Sequence, residues 1–408
     1  MIKTSIAAPT ANARIERQIG STRRECLDWL LIIGRGHAER VLNQWLEHYN
    51  QARPHREIDL RAPIGDLSIR TPNQEEAAAL VAGVRSGDEA AFAALTEPYR
   101  RHLHLHCYRM LGSFEEAEDL VQETLLRAWK GRAAFEGRSM VRTWLYRIAT
   151  NACLDLLESR SRRVQSLESP QVAESYGVEW LQPYPDRLLD QIASSDSEPD
   201  ALVIARETIE LAYLAAIQYL PPKQRAILIL RDALGWSAKE TANLLDESVS
   251  SVNSALHRAR SSMRKRLPRR RLEWSTAATP TTAEQKLLEL YMDATDRADV
   301  AALTALLREE VRLTMPPYPT WFQGREEIAT AFALSTDPSL PTYLGQLRTV
   351  ATAANRQLAV AAYVRRPGDS EYRALGVDVL RLEGDLVVEI TRFVNAALFP
   401  AFGLPPTL

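Results

Sequence analysis

Trp144, Tyr146, Thr150 and Asn151 fall in one short stretch, and Arg142, Arg147, Arg160, Arg162 and Arg163 surround them. Aromatic faces stack on unpaired bases, amides read base edges, and guanidinium groups neutralise phosphates, so this set suits a single nucleic-acid strand. Packing of Trp144, Leu145, Ile148 and Leu156 into a core fits the same stretch. A second set lies at Ser250, Ser251, Asn253, Ser254, His257, Arg258 and Arg260. Short side chains permit close approach to a major groove, and the basic residues that follow meet phosphate or guanine. From 258 to 271 there are eight basic residues (Arg258, Arg260, Arg264, Lys265, Arg266, Arg269, Arg270 and Arg271) and no acid. A salt-sensitive phosphate contribution follows from that run.

Two other constellations invite chemistry. The run HLHLHC at 102–107 would converge on one face of a strand as a metal site. On a helix, His104 points away from His102 and His106, and the histidines flank an apolar core instead. No metal or cofactor is therefore assigned. In the last third, Tyr291, Asp293, Asp296, Trp321 and Asp378 are candidate cavity residues. A carboxylate there needs burial to become a useful base, and a lone Tyr or Trp suits a cavity lining equally.

These residues require helices first and a sheet afterwards. Phe92, Leu95, Tyr99, Leu103, Cys107 and Met110–Leu111 recur at steps of three and four, one helical stripe. Ser113 with Glu116 forms a capping-box pattern that opens a helix over 113–129. Its apolar stripe is Ala117, Leu120, Val121, Leu125, Ala128 and Trp129, and its acids lie mainly off it. That acidic side is either a solvated face or a docking face. A helix over 237–245, a turn at 246–247 and a helix over 248–266 give helix-turn-helix spacing. Val249, Val252, Leu256, Ala259 and Met263 are expected on the buried side of the second helix. The turn has no glycine. After 283 the order is two amphipathic helices, a strand, a Pro-rich turn, a helix from Gly324–Arg325, then strands such as QLAVAAYV and GVDVLRLEGDLVVEITRFV.

Five blocks result: 1–70, 75–163, a Ser/Pro/acid-rich linker at 164–200, 201–272, and 283–408. The 408 residues carry 50 Lys+Arg against 52 Asp+Glu, so net charge says nothing about partners. Cys26, Cys107 and Cys153 are odd in number and lack a CxxC, which argues against a disulfide framework or a zinc site and suits a reducing cytosol. No apolar stretch reads as a signal peptide or membrane span, so a soluble cytoplasmic protein is expected.

DLVQETLLRAW and TWLYRIATNACLD resemble conserved region 2 of the extracytoplasmic-function (ECF) group of sigma-70 RNA polymerase sigma factors. The resemblance implies that Asp119, Gln122 and Glu123 dock on the clamp coiled coil of the polymerase largest subunit. It implies that Asn151, with Asp155, approaches a flipped-out base of the −10 element, and that Trp144, Tyr146 and Arg147 lie along the melted strand. The helix-turn-helix, one linker downstream, resembles sigma region 4, which binds the −35 element as duplex and the flap of the second-largest subunit. The block from 283 resembles the SnoaL-like group of the NTF2-like fold, an α+β cone. WLQPYPD and FPAFGLP resemble actinobacterial sigma factors that carry such an extension. The resemblances imply a non-enzymatic transcription initiation factor whose C-terminal domain contacts and modulates its all-α sigma domains. Ligand sensing or catalysis in the cone is the alternative for that domain.

NARIERQIGSTRREC and HYNQARPHR resemble the C-terminal end of an IS3-type transposase integrase core. Glu16 matches the last carboxylate of that family's Asp-Asp-Glu triad, which holds two divalent metals. No acid precedes Glu16, so one carboxylate stands without its metal partners. A mostly helical remnant, loosely docked or partly disordered, is expected, the trace of an insertion-element fusion or a misplaced start codon. Three rival readings remain: a transposase-derived DNA-binding protein, a cavity enzyme and a plain repressor. A repressor has no use for the acidic region-2 helix.

Overall fold

The computed structural model describes residues 74–135, 141–165, 181–195, 210–266, 280–316 and 321–408. The transposase-like block with Glu16 lies outside these residues, as do Arg269, Arg270 and Arg271 and the side chains of Arg162, Arg163 and Trp321. The chain divides into two compact units, one of Thr96–Ala226 with Ala277–Leu408, the other of the residues up to Leu95 with Ile227–Thr276.

The helices before the sheet are α1 (Gln74–Ser86), α2 (Glu89–Leu111), α3 (Phe114–Gly131), α4 (Val141–Gln165), α5 (Asp186–Ser195), α6 (Leu211–Gln218), α7 (Pro222–Leu228), α8 (Ala238–Leu245) and α9 (Val249–Arg266). The expected stripe of α2 is buried at Leu103, Cys107, Met110 and Leu111, all fully covered. Ser113 caps α3 by accepting the Glu116 N–H. The capping box is only half formed, because the Glu116 carboxylate pairs with Arg160 instead. Ala117, Val121 and Ala128 are buried as the period requires, and Thr124 joins them by donating its hydroxyl to the Leu120 carbonyl at 2.6 Å.

Within the stretch read as a linker, residues 181–195 are built structure. Leu181, Tyr184 and Leu189 are buried, and α5 begins at Asp186.

The second half supplies α10 (Thr282–Asp296), α11 (Val300–Leu306), β1 (Leu307–Thr314), β2 (Trp321–Gln323), α12 (Arg325–Thr336), β3 (Gln346–Ala354), β4 (Gln357–Arg365), β5 (Arg373–Glu383) and β6 (Leu386–Phe393). The sheet order is β2-β1-β6-β5-β4-β3. Only β1 and β6 pair in parallel; the other neighbours are antiparallel. One core joins Leu287, Tyr291 and Ala294 of α10 to Phe332 of α12 and to Val360, Leu380 and Ile390 of the sheet. Each large side chain fully buried there contributes roughly 1.5–3 kcal/mol. Gly376 is required where β5 meets β6: a Cβ would stand 2.5 Å from the Phe393 carbonyl oxygen. The β3–β4 turn carries Asn355 and Arg356 at φ 56° and 59°, the left-handed pair of a tight hairpin turn.

Candidate nucleic-acid interface

The candidate strand-binding residues lie on α4 and divide by burial. Arg147, Asn151 and Asp155 are exposed at four-residue spacing, one outward strip. Trp144 is half-buried and stacks on Phe135, with ring centroids 4.4 Å apart. Tyr146 and Thr150 do not face solvent and are corrected here from strand contacts to core. Tyr146 is 1% exposed against the His106 ring. Thr150 is fully buried and shares a 2.9 Å hydrogen bond with His106 Nε2. The spacing that puts them near Asn151 also rotates them towards α2. Arg160 is half-buried and held by Glu116.

The histidine run is structural. His106 is wholly buried, and desolvation together with nearby Arg109 lowers its pKa to about 3, so it is neutral at pH 7. His104 bonds Tyr184 Oη through Nδ1 at 3.1 Å and the Phe114 carbonyl through Nε2 at 3.2 Å. Burial lowers its pKa against the opposing pull of Glu118. Among the described residues no group of His, Cys, Asp or Glu could hold a metal ion.

On α3, Asp119 and Gln122 are exposed, and the apolar Leu126 is 46% exposed on the same helix. Glu123 is half-buried and accepts a 2.7 Å bond from Arg127, whose other end reaches Asp155 on α4. The acidic face is therefore tied by one guanidinium to the outward strip.

In the helix-turn-helix, Ser237 and Glu240 form a complete capping box on α8. Asp246 takes the left-handed turn position at φ 56°, where a glycine is more usual. Ser248 caps α9 by accepting the Ser251 N–H at 3.0 Å. Ser250, Ser251, Ser254, His257 and Arg258 are exposed, with Asn253 at the margin. Arg260 is corrected from this set: it is 4% exposed and clasps Asp232 with bonds of 3.1 and 2.6 Å. Val249, expected in the core, is 43% exposed, in a first turn of α9 where Ser248, Ser250 and Ser251 are exposed as well.

Where α10 packs on the sheet, Tyr291 and Asp378 come together, a pairing the sequence did not reveal. Tyr291 donates to Asp378 at 3.1 Å, and Arg392 grips both carboxylate oxygens at 2.7 and 2.6 Å. Burial and the adjacent carboxylate push the Tyr291 hydroxyl well above its ordinary pKa. Asp378 is thus neutralised by a guanidinium rather than held as a free base. Asp296 accepts from Thr349 at 2.7 Å, and Asp293 pairs with Arg297 at the surface.

The segment at 181–187 joins the first helices to the sheet within the same unit. Gln182 Oε1 accepts from Ser113 Oγ and from the Glu115 N–H at 3.1 and 3.0 Å. Asn355, at the hairpin tip and fully buried, accepts the Tyr184 N–H at 2.8 Å and donates to Tyr108 Oη at 2.9 Å. Pro185 bridges to Ala354, and Asn395 reaches Glu115 at 3.3 Å.

Comparison with known proteins gives these features a family. The Sigma-70 region 2 family model matches 95–163, Sigma-70 region 4 matches 210–263, a SnoaL-like domain matches 288–390, and an integrase core domain matches 3–63. The ECF RNA polymerase sigma factor SigG of Mycobacterium tuberculosis is 41% identical over 332 residues, 79% of this chain and 86% of that protein. SigW of Bacillus subtilis is 33% identical over 45% of this chain and 92% of its own length. The crystal structure of the Mycobacterium tuberculosis sigma factor SigJ aligns with 78% of this chain and 99% of its own at 21% identity and a TM-score of 0.48. Helical sigma regions followed by an α+β sheet domain define the class. The chain belongs to the extracytoplasmic-function family of RNA polymerase sigma factors. Its function is that of a sigma factor, and the family implies binding of core RNA polymerase and promoter DNA. No helix among the described residues is long and apolar enough to cross a membrane.

Proposed function

We propose that this sigma factor melts the −10 element with the outward strip of α4 and reads the −35 duplex with the exposed side of α9. The observation that carries the reading is the exposure of Arg147, Asn151 and Asp155 in one row on α4. Amide and carboxylate edges there suit an unstacked base, with arginine at one end for phosphate. Asp119, Gln122, Glu123 and the exposed Leu126 of α3 form the docking face for the clamp coiled coil. The region-4 helices meet the flap. The protein acts in the cytoplasm and is not an enzyme.

The division into a region-2 block at 75–163, a region-4 block at 201–272 and a SnoaL-like block at 283–408 underlies this assignment. The SnoaL-like domain modulates activity through the Gln182–Tyr184–Asn355 contact, which reaches the first turn of the docking helix. The Arg392–Asp378 clasp favours this reading over catalysis in the cone. The test is reconstitution with core polymerase followed by start-site mapping and run-off transcription from a mapped promoter. Asn151→Ala is expected to lower run-off while core binding persists. Undiminished open complexes with that variant would overturn the −10 assignment.

A further inference from the structure

Arg127 stands between the two surfaces assigned above. Its Nε donates to Glu123 Oε1 at 2.7 Å, one turn earlier on α3, and its Nη1 donates to Asp155 Oδ2 at 2.8 Å on α4. The bond to Asp155 is the first of the causes that raise the Arg127 pKa, ahead of the bond to Glu123. The Arg127 and Glu123 side chains are half-buried, 40% exposed each, and that of Asp155 is 63% exposed. An ion pair that open to water contributes little to fold stability. Its geometry nevertheless fixes a carboxylate beside Asn151, on the strip proposed to receive a polyanionic strand. A bare carboxylate there would repel phosphates and sample several rotamers. A guanidinium bonded to Oδ2 cancels the charge and selects one rotamer. Among the described residues, Asp155 Oδ1 has no other partner and is left to accept an amine.

We infer that Arg127 is a positioning residue that neutralises and orients Asp155, presenting Oδ1 to the exocyclic amine of an unstacked cytosine or adenine in the melted strand. Cytosine N4 and adenine N6 are amine donors that a carboxylate oxygen accepts. The second bond, to Glu123, anchors the guanidinium to the helix proposed to dock on polymerase. The strip is thereby held in register with the docking face. The inference rests on the −10 reading of α4.

The experiment uses the full chain with core polymerase on a promoter obtained by start-site mapping. Permanganate reactivity of unpaired thymines reports the open complex, and anisotropy of labelled sigma factor reports core affinity. Arg127→Gln is expected to lower open-complex occupancy about tenfold with core affinity nearly unchanged. Arg127→Lys keeps the charge but not the fork, and recovers part of the loss. The double variant Arg127→Gln, Asp155→Asn removes the uncompensated charge and is expected to return to the level of Asp155→Asn alone. A purely structural role for Arg127 would not give that rescue. If Arg127→Gln behaves as wild type while Asn151→Ala is impaired, the inference fails and the −10 reading stands. If neither variant is impaired, the −10 reading fails and the inference with it. If Arg127→Gln is impaired and Asp155→Asn gives no rescue, Arg127 acts on the strand directly, and the positioning role is overturned.

Discussion

Arg258 and Arg260 are two positions apart on one helix, and burial gives them opposite work. Arg258 is exposed beside His257, whereas Arg260 is 4% exposed and clasps Asp232. Arg258→Ala should leave the melting curve unchanged, weaken DNA binding across sequences, and reduce the salt dependence of binding by about one phosphate contact. Arg260→Ala should destabilise the helix-turn-helix by about 3–5 kcal/mol, because Asp232 is left as a buried uncompensated charge. Denaturant unfolding separates the two. Had both variants lost DNA affinity with equal stability, the assignment of Arg260 to the core would be wrong. His106 sets a pH dependence of its own. Its folded pKa of about 3 lies below the ordinary value of 6.5, so the unfolded chain binds the extra proton. Its contribution is therefore intact above pH 6.5 and is lost as pH falls from there towards 3. At pH 4.5 the loss is roughly 2–3 kcal/mol. Urea unfolding across that range should show the slope, and His106→Phe should flatten it by one proton.

At the scale of elements, periodicity carried most of what could be read. The stripe of α2 and the start of α12 at Arg325 follow from spacing and from Gly324. What periodicity missed has physical reasons. A helical wheel assigns Val249 to the apolar side but does not register that the first turn of α9 is exposed all round. Tyr146 and Thr150 share a stretch with Asn151, yet only the packing of α2 decides which way each points. The segment around Tyr184 is too short and Pro-rich to show a period, and its partner Asn355 lies 171 residues away. The Tyr291–Asp378–Arg392 cluster is likewise assembled only by α10, β5 and β6. The turn between α8 and α9 shows an element solved without its usual residue. Asp246 adopts φ 56° where glycine has no steric penalty. Asp246→Gly should therefore stabilise the fold by about 0.5–1 kcal/mol, and Asp246→Val should destabilise it, as read by thermal unfolding.

At the scale of the molecule, the segment around Gln182, held in turn by the C-terminal domain, completes a helix start that region 2 does not complete alone. The first turn of α3 presents free N–H groups, as every helix N-terminus does. Ser113 takes the N–H of Glu116, and Gln182 takes that of Glu115. Gln182 is in turn held because Tyr108 Oη donates to its carbonyl at 2.7 Å while accepting from Asn355 at the hairpin tip. The β3–β4 hairpin thus supports the cap of α3, the helix proposed to dock on polymerase, through one tyrosine and one glutamine. Asn355→Ala removes the partner of the Tyr184 N–H and one partner of Tyr108 Oη, at a cost of about 2–4 kcal/mol to that contact. Helix α3 should then fray at its first turn, and core polymerase affinity should fall about fivefold, equivalent to about 1 kcal/mol. Asn151→Ala should leave core affinity unchanged in the same assay, so the two surfaces separate. A rise in core affinity for Asn355→Ala would mean that the domain withholds α3 from polymerase rather than supporting it. Deleting 283–408 should then increase transcription, whereas the support described here predicts a decrease.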